Sequence, residues 1–192
     1  MLARSTLFSR LHDFAARFRI ARRGATAVEF AMISIPFLAL VFAIFELGAM
    51  FMASTAIDAA VEQASRQIRT GQLQAGAGNN AAGFKTLVCN SVSWISSADC
   101  QANMSLDVRT FSSFSGISVT TPVTNGAIDQ SQIGFASGGS CDIVVVRAFY
   151  PWTLLTPALE PGLPNLGPGQ RLLTATVAFR NENWSTATTG CG

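Results

Sequence analysis

Residues 30–53 form a run of 24 residues with a single charge, Glu46. At about 1.5 Å per residue the run reaches roughly 36 Å as a helix, enough to cross a hydrocarbon core of about 30 Å. In a soluble protein such a helix would need an apolar surface on every side. A chain of 192 residues does not easily supply one. The run is therefore predicted to span a membrane. A secretory signal peptide fits poorly, because its apolar core is only about 7–15 residues long and ends at an A-x-A-like site. Here the run passes into an Ala-rich helical pattern.

Charge is distributed as unevenly as hydropathy. Arg4, Arg10, Arg17, Arg19, Arg22 and Arg23 stand against Asp13 in residues 1–23, a net charge of +5, whereas the rest of the chain is net −3. The positive-inside rule puts this basic block in the cytoplasm and residues beyond about 55 on the far side. The pI of about 8.5 thus reflects a short leader, and no nucleic-acid partner is expected. Within the leader, Leu7, Leu11, Phe14 and Phe18 share one helical face. That pattern suits a basic amphipathic segment on an anionic leaflet; the plainer reading is a weakly structured basic tail.

Between residues 25 and 70 only Pro36 and Gly48 punctuate the sequence, which predicts one long helix, kinked at Pro36. Past the membrane run, Ile57, Ala60, Val61, Ala64 and Ile68 make an apolar stripe. Glu62 and Arg66 are spaced for an ion pair, and Gly71 is placed to cap the helix. Glu46 lies about 26 Å beyond Glu29 along such a helix. It is expected to snorkel, solvated, at the outer interface; a second assembly contact is the other reading.

Three regions follow: a cytoplasmic leader 1–24, a long helix 25–71 and an exported head 72–192. Residues 72–83 read as a flexible linker, with a short helix around 85–92. Strands are predicted at 105–111, 142–150 and 172–180, the last alternating best. Residues 112–140 are rich in Ser, Thr and Gly and read as loops with room for a further strand. Residues 151–169 hold Pro151, Pro157, Pro161, Pro164 and Pro168 and read as an ordered or binding loop. Tyr150, Trp152 and Trp184 suit packing at the core or rim better than a ligand site. The fold class is α+β, a long N-terminal transmembrane helix continuing into a small head with an antiparallel sheet.

Cys89, Cys100, Cys141 and Cys191 all fall in the exported part and include no C-x-x-C pair. This favours disulfides over a zinc site. Of the three pairings, Cys89–Cys100 as a local loop and Cys141–Cys191 as a C-terminal clasp are preferred; the plainer alternative is that some are small buried hydrophobes. Catalytic chemistry is not expected. The one His, His12, is in the leader, Lys85 is the one Lys, and no nucleophile, phosphate-binding or metal motif occurs. No cofactor or metal is expected.

The junction reads Arg22-Arg23-Gly24-Ala25-Thr26-Ala27-Val28-Glu29-Phe30. Singly, the arginines could anchor the helix in headgroups, Gly24 could be a joint, and Glu29 could sit favourably on the helix dipole. Together with the apolar run, Gly24 followed by ATAVEFA resembles the processing site of type IV prepilins, and more closely the TadE-like family, pseudopilins of tight-adherence (Flp-type) pilus systems. The likeness covers residues 22–71.

It implies a prepilin peptidase cutting between Gly24 and Ala25 on the cytoplasmic side, with Glu29 left as the fifth residue, pairing with a neighbour's new terminal amine. It also implies an inner-membrane protein with a periplasmic or extracellular head and pilus or pseudopilin subunits as partners. A membrane-tethered adhesion or binding module is the alternative function.

Overall fold

The computed structural model describes residues 24–93, 95–156, 162–167, 169–184 and 191. The leader, with its amphipathic pattern, and Pro157, Pro161 and Pro168 lie outside them. Contacts divide the chain into two units, Met1–Ile44 and Phe45–Gly192.

Helix α1, Ala25–Arg69, continues through Pro36 and Gly48. Residues 25–44 are mostly exposed, and their large apolar side chains make no core. In the second unit the same helix turns amphipathic. Ala53, Ile57, Ala60, Val61, Ala64 and Ile68 are buried, the predicted stripe extended by one turn. Arg66 and Arg69 occupy the last turn, where the helix dipole favours cations. Gly71 follows at φ +77°, and its N–H bonds the Ile68 carbonyl at 3.1 Å, the expected left-handed cap. Glu62 and Arg66 do not pair; Arg69 instead meets Glu182 at 3.3 Å.

The expected linker at 72–83 is folded. Its first residues form α2, Gln72–Ala75, with Leu73 buried. Its last residues open α3, Ala81–Ser91. Asn80 caps α3 by accepting the Gly83 N–H at 2.8 Å, the role that short polar side chains play at helix starts. A second short helix, α4 at Ser97–Asn103, was not expected; Ser96 caps it by accepting the Asp99 N–H. The disulfide Cys89–Cys100 joins α3 to α4.

Strands β1 (Ser105–Phe111), β4 (Ile143–Thr153) and β5 (Gln170–Arg180) form an antiparallel sheet in the order β1-β4-β5. Phe84, Val88, Val108, Val144 and Val146 share one core cluster with the α1 stripe. The first eight residues of β4 are all buried, because both faces of this central strand are covered. β4 runs on through Pro151, which pairs with Leu172 after β1 has ended opposite Phe149. There the strand has one neighbour, and a residue without N–H is tolerated.

The other face carries a small cluster of Phe149, Leu166 and Leu172 packed by Val123 and Ile128. These last two belong to a hairpin, β2 (Val123–Thr124) with β3 (Ala127–Ile128). It turns on Asn125 and Gly126, both at positive φ, as tight hairpins require. The outer edge of β1 is closed by residues 134–136. Val108 donates its N–H to the Gly134 carbonyl and accepts from the Ala136 N–H, both at 2.9 Å. Cys141 bonds Cys191, 50 residues on.

Candidate functional site

Two features of α1 bear on the expected site: its N-terminal end and its one acid inside the apolar run. Gly24 immediately precedes the helix and Ala25 opens it. Nothing among the described residues lies within 4 Å of where a β-carbon on Gly24 would sit. The first turn of α1 holds no acid. Glu29 stands one residue past it, exposed, with no hydrogen bond or ion pair to any described residue. Its distance from the helix start weakens any macrodipole role, which fades beyond the first turn.

Among the described residues, α1 is the one helix long and apolar enough to cross a membrane, and none of its apolar window is buried by the protein.

Glu46 corrects the sequence reading. It is neither solvated nor free for another subunit: only 7% of it is exposed. Its carboxylate accepts the backbone N–H of Leu155 through Oε1 and that of Thr156, at 2.7 Å, through Oε2. These residues begin the loop that follows β4. The pairing is chemically economical. A carboxylate within an apolar belt needs donors, and an irregular loop at the same level needs acceptors for its backbone. The sequence did carry a signal: a lone acid in 24 apolar residues has to be answered by something. Its partners stand 109 and 110 residues away.

Next to this loop is a cleft of about 310 Å³ lined by Asp99, Tyr150, Trp152 and Leu155 among others. Tyr150 donates its hydroxyl to Asp99 Oδ2. Burial, and then the Asp99 carboxylate, push the phenol well above its ordinary pKa, so it is a neutral donor. Tyr150 and Trp152 pack with the core cluster, as rim aromatics do.

A buried ion pair lies on the opposite sheet face. Asp107 and Arg147 are cross-strand partners, and Arg147 Nη2 meets Asp107 Oδ2 at 2.6 Å. Arg109 Nε and the Gly134 N–H reach Asp107 Oδ1 at 3.0 and 2.8 Å. Arg147 also donates to the Thr120 carbonyl at 2.6 Å and stacks over Phe149 at 5.2 Å. Burial alone would raise the Asp107 pKa, but the Gly134 N–H and the two guanidiniums outweigh it and hold the carboxyl below its ordinary value. Every strong group here is satisfied internally, which marks a structural device that fastens residues 120–134 over the sheet.

All four predicted cysteines are paired, Cys89 with Cys100 and Cys141 with Cys191. No three His, Cys, Asp or Glu among the described residues are placed to hold a metal ion.

Residues 24–66 match the family model of TadE-like proteins, under a quarter of the chain. The matched stretch starts at Gly24 and ends within the amphipathic half of α1. No curated protein and no solved structure matches the chain.

Proposed function

We propose that this chain is a pseudopilin-like component of a tight-adherence (Flp-type) pilus assembly or secretion system. In this reading a prepilin peptidase hydrolyses the Gly24–Ala25 bond, and the protein assembles through its N-terminal helix. The role is structural rather than catalytic. The observation that carries the reading is the TadE-like match over residues 24–66. It begins at the proposed scissile glycine and takes in an apolar helix surface that the protein itself leaves bare.

The chemistry follows from the junction. Hydrolysis places a new α-amino group on Ala25, largely cationic at neutral pH. Glu29 lies four residues on and has no partner among the described residues of its own chain. A carboxylate near lipid is costly alone and stable when paired. The ammonium of one subunit and Glu29 of the next would therefore set the register in which helices associate. The six leader arginines hold the uncut end in the cytoplasm and place the head beyond the inner membrane.

Intact mass and N-terminal sequencing of protein from its native host, with and without the prepilin peptidase, test this. A terminus at Ala25 only when the peptidase is present is the expected result. Retention of residues 1–24 in both strains refutes it. Glu29→Gln is expected to leave insertion and cleavage intact while weakening co-purification with other pilus subunits.

A further inference from the structure

Glu46 sits seven residues before the end of the apolar run, about 10 Å of helix. The two backbone N–H groups that it accepts belong to Leu155 and Thr156, so this stretch lies at the depth of Glu46 and not above the run. Phe45 before it and Phe51 after it on the same helix are 72% and 73% exposed. The helix face that carries Glu46 is thus covered, with Met50 packed on the core and Ala53 buried beyond it, while Phe45 and Phe51 on the flanking faces stay bare. Leu155 adds to that bare surface: it is 83% exposed, the most exposed large apolar side chain among the described residues. Leu154 beside it is buried, and its N–H bonds the Gly169 carbonyl at 2.8 Å. The stretch is thus held from both sides with one leucine pointing outward.

We infer that residues 154–156 are a bilayer-contacting element of the head, pinned to the membrane helix by Glu46, with Leu155 seated among the lipid acyl chains. The occupant follows from continuity. Leu155 is an exposed apolar side chain tied to a candidate membrane span, and the backbone N–H groups of Leu155 and Thr156 are already taken up by Glu46, as contact with hydrocarbon requires of donors. The inference rests on the membrane-spanning part of the proposed function and does not depend on cleavage or on pilus assembly.

The test uses the full chain in phosphatidylcholine–phosphatidylglycerol vesicles. The four native cysteines are in disulfides, so Leu155→Cys gives one labelling site for an environment-sensitive NBD fluorophore. Phe37→Cys within the run and Thr174→Cys on the exposed face of β5 serve as lipid and water references. Nitroxide-bearing lipids are expected to quench position 155 comparably with position 37, and aqueous iodide is expected to quench only position 174. Glu46→Ala should then shift position 155 towards iodide accessibility while position 37 stays lipid-quenched. Iodide access at 155 in the otherwise native chain overturns the inference, as does protection from both quenchers, which would mean that a second copy or another protein covers it. An unchanged 155 signal in Glu46→Ala overturns the pinning. Absence of lipid quenching at 37 refutes the span itself, a result separable from all the others.

Discussion

A β-carbon on Gly71 would lie 2.6 Å from Cδ2 of Trp184. The helix cap and the chain that leaves the last strand therefore meet at a position where only glycine fits. Two further bonds support the junction: the Glu182 N–H reaches the Arg69 carbonyl at 2.8 Å, and Arg69 pairs with Glu182.

Gly71→Ala is thus strained twice, by its positive φ and by the indole. The expected loss is about 1–3 kcal/mol, read as a lower melting temperature in detergent. The same change made in Trp184→Ala should cost less than in the native background, because only the backbone strain remains. Equal losses in both backgrounds would remove the steric contact from the explanation.

Arg147→Ala leaves Asp107 buried with only part of its support. Breaking a buried pair from one side costs about 3–5 kcal/mol, and Arg109 and Gly134 place the expectation at the lower end. The native pair also sets a pH dependence. The folded carboxyl titrates below its unfolded value, so its stabilisation is present above the ordinary carboxylate range and is lost as pH falls below about 4. Chemical denaturation between pH 7 and pH 3 should show that loss in the native protein, with a smaller one in Asp107→Asn. A variant Arg147→Ala as stable as the parent at pH 7 contradicts the assignment.

The two disulfides differ in the length of chain they close. Loop-closure entropy predicts about 3 kcal/mol for Cys89–Cys100 and about 4 kcal/mol for Cys141–Cys191. Urea titrations of the paired Cys→Ser variants check the order. A larger loss from the shorter loop would show that the packing of the buried Cys89 and Cys100, and not chain entropy, sets the order.

A fragment beginning at Gln72 lacks the α1 wall of the core. Ile57, Val61 and Ile68 are almost wholly buried, and each is worth about 1.5–3 kcal/mol when removed from water. Residues 72–192 are therefore expected to show poor amide dispersion and no cooperative melt, while residues 54–192 show both. A well-folded 72–192 fragment would mean that the sheet and the short helices suffice.

Local periodicity made much of the head legible. The helical stripe from Ile57 to Ile68 is buried as spaced. β1 keeps its predicted bounds. On β5, Thr174, Thr176, Ala178 and Arg180 are exposed while Leu173 and Ala175 are buried. The misreadings have two origins. Residues 72–83 are rich in Gly, Ala and Asn, a linker composition, yet Asn80 is a cap and the alanines after it are helical. The Asn125-Gly126 pair was an available hairpin signal, masked by its Ser- and Thr-rich surroundings. Glu46 and Asp107 belong to the other class, since their partners come from distant sequence and no local pattern names them. The junction around Gly24 is local in sequence, and the family match begins there; the roles proposed for Gly24 and Glu29 involve other molecules.

The Cys141–Cys191 bond encloses all of β4 and β5. A protease that nicks the backbone between those strands would therefore leave both pieces covalently attached. Each would stay paired with the other along the ladder, and the nick would surface only on a reducing gel. In a compartment exposed to hydrolases, this single sulfur bridge turns a severed connection into a tolerated scar.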